Sequence, residues 1–424
     1  MSYQYILGLL LLLMLISFLI LRSKNPKMPV WAFMSFLAFI SVLGRLVKID
    51  EIPSIIDLNV IFFLIGMFSI VSLAESSGLL NMLSYWFISR LKSTLSVMMA
   101  SSLIFGLMAA FAVNDTVAVM GPPIVYMISR ATGLPILPLL LLLAFSITIG
   151  SAATPMGNPQ NVLISVSSGM KSPFISFVHY LFIPTILNLI LTSLLISFFF
   201  GIRQRRLEIG LIPEESLKSR KDAVISAISL VSVVILMLVN DILRLKNEPH
   251  IEEIGFIPFL VASAMYFLVD EPRKLIKEVD WGTIMFFITM FIAMQGIWNS
   301  GVYRDIVSYL MPSRTNAAAE PLVISAISVL LSQLLSNVPF VKLFTEYMNA
   351  LGYTGADVKA WITLAMSSTI AGNLTLFGAA SNIIILEVVE SKYKITIKFS
   401  TFLKIGSLVT AINILIYLLF IIFL

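Results

Sequence analysis

The sequence predicts an all-α polytopic membrane protein built from two inverted repeats of five crossings, each with a re-entrant hairpin and an unwound helix. Three observations lead to this fold: the composition, the series of apolar stretches, and a polar pattern that occurs twice. Of 424 residues, 58% are hydrophobic and only 12% are charged, whereas an ordinary soluble domain carries about 25% charged residues. The chain has no Cys, which excludes disulfides, thiolate metal sites and Cys nucleophiles.

Apolar stretches of about 20 residues are long enough to cross the bilayer as helices. We expect helices at 3–22, 29–47, 57–80, 134–170, 176–201, 222–243, 254–270, 280–300, 357–390 and 400–424. Two further stretches, 94–130 and 321–350, are broken near their middle by polar residues or Pro. Each is expected to dip into the membrane and return to the side it came from. The N-terminal stretch lacks preceding Lys or Arg, so we interpret it as a retained span rather than a signal peptide.

A repeated polar pattern indicates that the chain is duplicated. An offset of 223 residues carries Asn114 onto Asn337. At an offset of 221, the segment "TPMGNPQNVLI" from Thr154 aligns with "TLFGAASNIII" from Thr375, and both read T-x-x-G-x-x-x-N. Because five crossings is an odd number, the second copy must be inverted relative to the first.

The distribution of Lys and Arg predicts the orientation of the two repeats. We place the first repeat at 1–201, a cytoplasmic linker at 202–221 and the second repeat at 222–424. With the N-terminus outside, the inside loops hold more than twice as many Lys and Arg as the outside loops, in agreement with the positive-inside rule. We therefore expect a multi-pass protein of the cell membrane with both termini outside. The net charge of +5 reflects these loops, and we expect no nucleic-acid partner.

Four polar interruptions are predicted to meet at the bilayer midplane, because non-helical backbone in a membrane must be buried in protein or line a wet cavity. A helix that begins there presents free N–H groups to an anion, while amide and hydroxyl oxygens suit Na⁺. The candidate solute- and ion-binding residues are Asn114, Asp115, Thr116, Ser151, Thr154, Gly157, Asn158, Asn161, Ser336, Asn337, Thr375, Gly378, Ser381 and Asn382. Among them, Asn114 and Asn337, together with the loops around Thr154 and Thr375, are the candidate Na⁺ ligands. We expect no other metal or cofactor.

Asp115 is the charged residue that this arrangement makes most informative. An ionisable residue at membrane depth is functional by default, so Asp115 could carry a proton, bind a cation or oppose a bound charge. The alternative is an N-cap for a helix running from 117 to 129. Lys342 and Glu346, spaced i,i+4, are expected to form a salt bridge. Whether Glu387 faces the cavity stays open.

Three segments carry a resemblance to a known superfamily: "GSAATPMGNPQNVLI" from Gly150, "LSNVP" from Leu335 and "GNLTLFGAASNIIILE" from Gly372. They resemble the ion transporter superfamily of arsenite permeases, sodium/proton antiporters, citrate–metal symporters and divalent-anion/sodium symporters. The resemblance implies an elevator-type transporter, usually a homodimer. The scaffold would comprise 1–92 and 222–315, and the moving domain 93–201 and 316–424.

The predicted hairpin tips depart from the Ser-Asn-Thr motif of the dicarboxylate symporters in this superfamily. They read Val-Asn-Asp-Thr at 113–116 and Ser-Asn-Val-Pro at 336–339. The Asn-Asp pair resembles the arsenite-permease and antiporter branch. This departure weighs against a dicarboxylate as substrate, whereas another anion stays open.

The resulting hypothesis is a secondary active transporter that moves a small anion or oxyanion, coupled to H⁺ or Na⁺. The first alternative is a Na⁺/H⁺ antiporter that uses Asp115. A remote alternative is an intramembrane hydrolase, which would depend on His179 or His250. The sequence contains neither H-E-x-x-H nor G-x-S-x-G, so we name no catalytic residue and expect no enzyme.

Overall fold

The computed structural model describes residues 2–24, 28–207, 217–316 and 319–424, and the described residues are almost entirely helical. Residues 208–216 of the predicted linker lie outside them. The α-helices are α1 (Tyr3–Lys24), α2 (Val30–Leu43), α3 (Ile52–Ile55), α4 (Leu58–Ser76), α5 (Leu79–Ile88), α6 (Thr94–Ala112), α7 (Asn114–Thr132), α8 (Ile136–Ser151), α9 (Pro159–Ser167), α10 (Pro173–Phe177), α11 (Ile183–Phe199), α12 (Arg220–Leu245), α13 (Phe256–Tyr266), α14 (Pro272–Glu278), α15 (Trp281–Asn299), α16 (Val302–Leu310), α17 (Glu320–Leu335), α18 (Asn337–Ala350), α19 (Val358–Ile370), α20 (Ala380–Tyr393) and α21 (Phe399–Phe423).

The helix lengths confirm an all-α polytopic membrane protein. Within the described ranges, seven helical segments are long and apolar enough to cross a bilayer. They are Tyr3–Leu21, Leu58–Ser76, Thr94–Ala112, Pro173–Phe199, Arg220–Leu245, Trp281–Asn299 and Phe399–Phe423. The fourth of these joins α10 to α11 through one π-helical turn, Val178–Phe182.

Each predicted re-entrant stretch is a pair of helices joined by a single residue. Val113 joins α6 to α7, and Ser336 joins α17 to α18. These residues are equivalent at the offset of 223, and they share positive φ angles of 61° and 67°. Positive φ is uncommon for any residue except Gly, so the two tips share an unusual backbone geometry that supports the duplicated plan.

The two predicted unwound helices also lie where the repeat puts them. Residues 152–158 separate α8 from α9 and include a short 3₁₀ turn, Pro155–Gly157. Residues 371–379 interrupt α19 and α20 and begin with the turn Ala371–Asn373. Thr154 and Asn158 of the first interruption and Asn373 of the second are buried among the helices, as non-helical backbone at membrane depth requires.

The short helices α5 and α16 are a feature that the sequence analysis missed. Both follow a glycine with left-handed backbone, Gly78 with φ 83° and Gly301 with φ 81°. The two glycines are equivalent at the offset of 223. The helices escaped notice because they are too short to cross the bilayer.

Helix packing brings the hairpins and the broken helices together. Hairpin helix α6 packs along α8, α17 packs along α19, and α2 packs along α15. A Cβ atom on Gly150 would lie only 2.0 Å from the carbonyl oxygen of Gly106. Glycine therefore permits the backbones of α6 and α8 to approach closely, as small residues commonly do between membrane helices. The tips and interruptions end up next to one cavity.

Candidate solute-binding site

A cavity of about 240 Å³ lies where the hairpin tips and the broken helices meet α1, α2 and α15. Four of the helices that begin at this cavity belong to the hairpins and the broken helices: α7 at Asn114, α9 at Pro159, α18 at Asn337 and α20 at Ala380. Its volume corresponds to about eight waters and is below the range of about 300–1,000 Å³ typical of drug-sized ligands. The cavity therefore suits a small solute.

The electrostatics of the cavity combine helix N-termini with two carboxylates. The first N–H groups of a helix lack intrahelical partners, and each N-terminus carries the equivalent of about half a positive charge. The lining includes two carboxylates, Asp115 and Asp280, and no Lys or Arg among the described residues. Asp280 caps α15 by accepting hydrogen bonds from the Thr283 backbone N–H at 3.0 Å and hydroxyl at 2.6 Å.

The predicted tip asparagines both line the cavity and are nearly buried. Asn114 is 8% exposed and Asn337 is 7% exposed. The side-chain oxygen of each has no hydrogen-bond partner among the described residues. Buried polar atoms are normally paired, so these two oxygens are available to a bound ion or solute. Ser336 lines the same wall.

Asp115 lines the cavity, and the alternative interpretation that it is a helix N-cap is wrong. Helix α7 begins at Asn114, and Val113 occupies the N-cap position. The expected start at Val117 is wrong for the same reason: the positive φ of Val113 ends α6 and lets α7 start at the next residue. Asp115 thus belongs to the first turn, where the helix dipole favours a negative charge. Its neighbour Thr116 is half-buried and is not part of the lining.

Asn161 fixes the first interruption by bridging two of its backbone carbonyls. Its side-chain nitrogen donates to the oxygens of Ser151 at 3.0 Å and Thr154 at 3.1 Å. The hydroxyl of Thr154 donates in turn to the carbonyl of Ala110 in α6. The candidate residues of this loop are therefore brought together, but they lie behind the cavity wall rather than in it.

Asn158 and Gly157 complete the first interruption. The Asn158 side-chain nitrogen donates to the carbonyl and hydroxyl oxygens of Ser151 at 3.2 and 3.1 Å. A Cβ atom on Gly157 would lie 2.2 Å from the Ser151 carbonyl oxygen. The close backbone approach expected at this glycine is therefore present.

Asn382 repeats the arrangement of Asn161 in the second interruption. Its side-chain nitrogen donates to the oxygens of Gly372 at 2.9 Å and Thr375 at 3.4 Å. The side-chain oxygen of Asn382 and the hydroxyl of Ser381 lack partners among the described residues, although both residues are buried. Gly378 packs close to Gln333. The second loop thus offers unpaired oxygens where the first loop is paired.

Two residues that the sequence analysis missed hold the loops in place. The Thr369 hydroxyl accepts from Asn158 at 3.1 Å and donates to Asn161 at 3.3 Å, so it links the second repeat to the first loop. Gln333 donates to the Ala371 carbonyl at 2.8 Å and accepts from the Thr375 hydroxyl at 2.8 Å. An available signal was the equivalence of Thr369 to Thr148 at the offset of 221.

The lining contains only part of the predicted set. Asn114, Asp115, Ser336 and Asn337 line the cavity, together with the unpredicted Gln160, Asp280, Thr283 and Trp31. The remaining candidate residues support the lining from the two loops or, for Thr116, from α7.

The other charged and titratable candidates lie outside the cavity. The predicted salt bridge joins Lys342 Nζ to Glu346 Oε1 at 2.6 Å and is confirmed. Glu387 is exposed on α20 and is not part of the lining. His179 is exposed on the π turn, and His250 contacts the Glu248 carbonyl. Neither histidine is part of the lining of this cavity.

The fold and the cavity at the hairpin tips are those of a polytopic membrane transporter. Residues 9–364 match the family described as Citrate transporter. The chain belongs to this citrate transporter family, within the ion transporter superfamily that its motifs resemble.

Relatives support the same class. The chain is 26% identical over 375 residues to the "46 kDa membrane protein" of Mycobacterium leprae, covering 85% of this chain and 84% of that protein. It is 25% identical over 400 residues to the silicon efflux transporter of Oryza sativa subsp. japonica, covering 81% of each. The crystal structure of the Alcanivorax borkumensis YdaH transporter matches with a TM-score of 0.56 at 12% identity, covering 100% of this chain and 98% of that one. That last similarity shows the fold alone.

Proposed function

We propose that this protein is a secondary active transporter that moves a small anion or oxyanion across the membrane, coupled to H⁺ or Na⁺. One observation carries the proposal: four helix N-termini converge on one small cavity. Such termini bind anionic groups through free N–H groups and aligned dipoles. In secondary transporters, half-helix N-termini at the midplane serve this purpose.

The lining and the start of α20 support two routes for the coupling ion. Asp115 lies in the first turn of α7 and would carry a proton. Its carboxylate can gain and lose a proton, and it lines the cavity. The unpaired oxygens of Asn114, Asn337 and Asn382 and the Ser381 hydroxyl would bind Na⁺. The second loop supplies more of these free oxygens than the first, which favours a Na⁺ site on that side.

We further propose an elevator mechanism in which 93–201 and 316–424 move against a scaffold of 1–92 and 222–315. The cavity lies between residues of both proposed parts: α7 and α18 on one side, and α2 and α15 on the other. If the N-terminus is outside, the beginnings of α2 and α15 are on the inside face, and the cavity opens inward. Homodimer assembly and the orientation of the termini stay predictions.

A Na⁺/H⁺ antiporter is the second candidate, and the carboxylates favour it. Asp115 and Asp280 line the cavity without a Lys or Arg among the described lining residues. Such a lining would attract a cation. An antiporter would move ²²Na⁺ in response to a pH gradient with no anion present, whereas an anion transporter would not.

Uptake by purified protein in proteoliposomes tests the proposal. The panel comprises citrate, phosphate, arsenite and silicic acid, each measured with an imposed pH gradient, with an imposed Na⁺ gradient, and with neither. We expect one solute to accumulate only when a gradient is imposed. Accumulation of none, or flux that is independent of every gradient, would contradict secondary transport.

Two carboxylate variants separate the coupling routes. Asp115→Asn should abolish H⁺-driven uptake while leaving gradient-free exchange of the solute measurable. Asp305→Asn is the matched control, because Asp305 is exposed on α16 and is not part of the lining. Retention of pH-driven uptake by Asp115→Asn would exclude Asp115 as the proton carrier.

A further inference from the structure

A second group of buried polar side chains lies between α11 and α21, outside the lining of the cavity. The motif T-x-x-N occurs in both helices, as Thr185–Asn188 in α11 and Thr410–Asn413 in α21. The two copies are separated by 225 residues, close to the offsets that relate the other repeated features. This motif is therefore a further part of the duplication.

Hydrogen bonds show that the two helices meet in antiparallel register. The hydroxyls of Thr185 and Tyr417 lie 2.7 Å apart, and Asn188 donates to the Asn413 carbonyl at 3.4 Å. Thr192 is one turn beyond Asn188, while Thr410 is about one turn before Asn413, so they face each other at the next level. We call this the Thr192–Thr410 level.

The contact between α11 and α21, which we call the seam, has Thr185 and Tyr417 at one end and Thr192 and Thr410 at the other. These two ends are equivalent under the repeat but differ in chemistry. At the offset of 225, Thr185 corresponds to Thr410, and Tyr417 corresponds to Thr192. Tyr417 is long enough for its hydroxyl to contact Thr185 and also the Ile149 carbonyl at 3.3 Å. Thr192 is shorter by a phenol ring, so the same hydroxyl contacts are not made at its level.

The consequence is a set of unpaired oxygens at and beside the Thr192–Thr410 level. The side-chain oxygens of Asn188, Thr192, Thr410 and Asn413 have no hydrogen-bond partner within the described ranges. Asn188, Thr192 and Asn413 are 0% exposed, and Thr410 is 3% exposed. Buried polar atoms are rarely left unpaired because their desolvation is costly. Four such oxygens on facing helices indicate a site for a cation or for a ligand that donates hydrogen bonds.

The surroundings favour a cation at this level. Ile149 is the equivalent of Ile370 at the offset of 221, and Ile370 is the last residue of α19. The C-terminal end of a helix presents carbonyl oxygens and a negative dipole end. A Cβ atom on Gly406, one turn before Thr410, would lie 2.2 Å from the Asn373 carbonyl oxygen. The loop that follows α19 therefore packs directly on this part of α21.

We propose that the Thr192–Thr410 level binds one Na⁺ ion through the side-chain oxygens of Asn188, Thr192, Thr410 and Asn413. The set is uncharged, which suits a monovalent rather than a divalent ion, and half-helix C-termini coordinate Na⁺ in transporters. A water ligand of the ion would accept the remaining donor, Asn413 Nδ2. The ion would tie α11 and α21 to the loop that follows α19, and this site is separate from the tip oxygens at the cavity.

Thermal unfolding of the purified protein tests the site without knowledge of the solute. The midpoint is measured as NaCl replaces KCl at constant ionic strength, because a ligand of the native state raises the midpoint in a saturable way. In Thr410→Val, which removes one oxygen at nearly constant volume, we expect the half-maximal Na⁺ concentration to rise about tenfold or more. Thr410→Ser keeps the oxygen and should respond as the wild type does.

Two controls separate this site from others. Thr185→Val removes a hydroxyl that pairs with Tyr417 and is not a proposed Na⁺ ligand. The Na⁺ response of this variant should therefore equal that of the wild type. Asn337→Ala removes a tip oxygen and should leave a saturable Na⁺ response that depends on Thr410. Equilibrium binding of ²²Na⁺ to detergent-solubilised wild type and Thr410→Ser gives a second readout that does not require the Val variant to fold.

Three outcomes would overturn the proposal. The first is that neither the thermal midpoint nor ²²Na⁺ binding of the wild type shows a preference for Na⁺ over K⁺. This result is expected if only water occupies the site. The second is an unchanged Na⁺ response in Thr410→Val. The third is complete loss of Na⁺ binding in Asn337→Ala, which would assign all of it to the tips.

Discussion

Gln333 is the residue whose removal should most clearly loosen the second interruption. It donates to the Ala371 carbonyl and accepts from the Thr375 hydroxyl, each at 2.8 Å. Both partners belong to the segment 371–379, which has no regular helix of its own beyond the short 3₁₀ turn. Gln333→Ala removes both contacts and leaves the backbone of α17 unchanged.

The expected effect follows from the two hydrogen bonds. A neutral hydrogen bond contributes about 1 kcal/mol net, so the ordered loop should lose about 2 kcal/mol. A tenfold change corresponds to about 1.4 kcal/mol, so the open population of the loop should rise roughly 30-fold. The loop in the first repeat should not respond, because Ala110 occupies the equivalent position and contributes only its backbone carbonyl.

Hydrogen exchange with mass-spectrometric detection measures this change directly. Amides in 371–379 should exchange roughly 30-fold faster in Gln333→Ala, in line with the opening free energy. Gln295→Ala is the matched control, because Gln295 makes one exposed hydrogen bond, to Asn299 in the same helix. Unchanged exchange in 371–379, or equal acceleration in 152–158, would refute the assignment of Gln333 as the support of this loop.

Three further predictions concern stability. Glu346→Ala should lower the free energy of unfolding by about 1–2 kcal/mol, because its partner Lys342 is only 13% exposed. A double-mutant cycle measured by unfolding should show coupling between Lys342 and Glu346. Gly301→Ala should lower the free energy of unfolding by about 1 kcal/mol, measured by denaturant unfolding, because a φ of 81° strains any residue with a Cβ. Steric overlap is not the cause, since no atom lies within 4 Å of the added Cβ. Burial raises the pKa of Asp357, but the Arg314 hydrogen bond and those from Thr354 outweigh it and hold that pKa below its ordinary value. The stabilisation is thus complete above the ordinary pKa of about 4 and is lost as the pH falls through the folded value; Arg314→Gln should cost about 0.5–1 kcal/mol at neutral pH and flatten the acid dependence.

The spans and hairpins could be predicted because hydrophobicity and helix breakers are local properties. The apolar stretches defined the helices, and the polar breaks at Asn114 and Asn337 defined the tips. The repeat then connected the loops at Thr154 and Thr375 without any structural information. Matching backbone angles at Val113 and Ser336 agree with that correspondence.

The remaining errors concern contacts and backbone angles that composition does not encode. The start of α7 depends on the positive φ of Val113, and valine gives no sign of such a conformation. Thr369 and Asn161 are separated by 208 residues, so their hydrogen bond arises only when the two halves pack together. Asp280 is the first residue of a predicted span, 280–300, yet its place beside the cavity depends on the packing of α15 against α18.

The four helix starts around the cavity have a consequence for how such proteins diversify. A backbone amide is supplied by any residue except Pro, so its attraction for negative charge survives most substitutions at the tips. Side chains there are then free to change the shape and hydrogen-bonding character of the compartment without abolishing capture itself. A tip that reads Val-Asn-Asp-Thr in place of Ser-Asn-Thr gains a titratable carboxylate and keeps the backbone amides of its helix start.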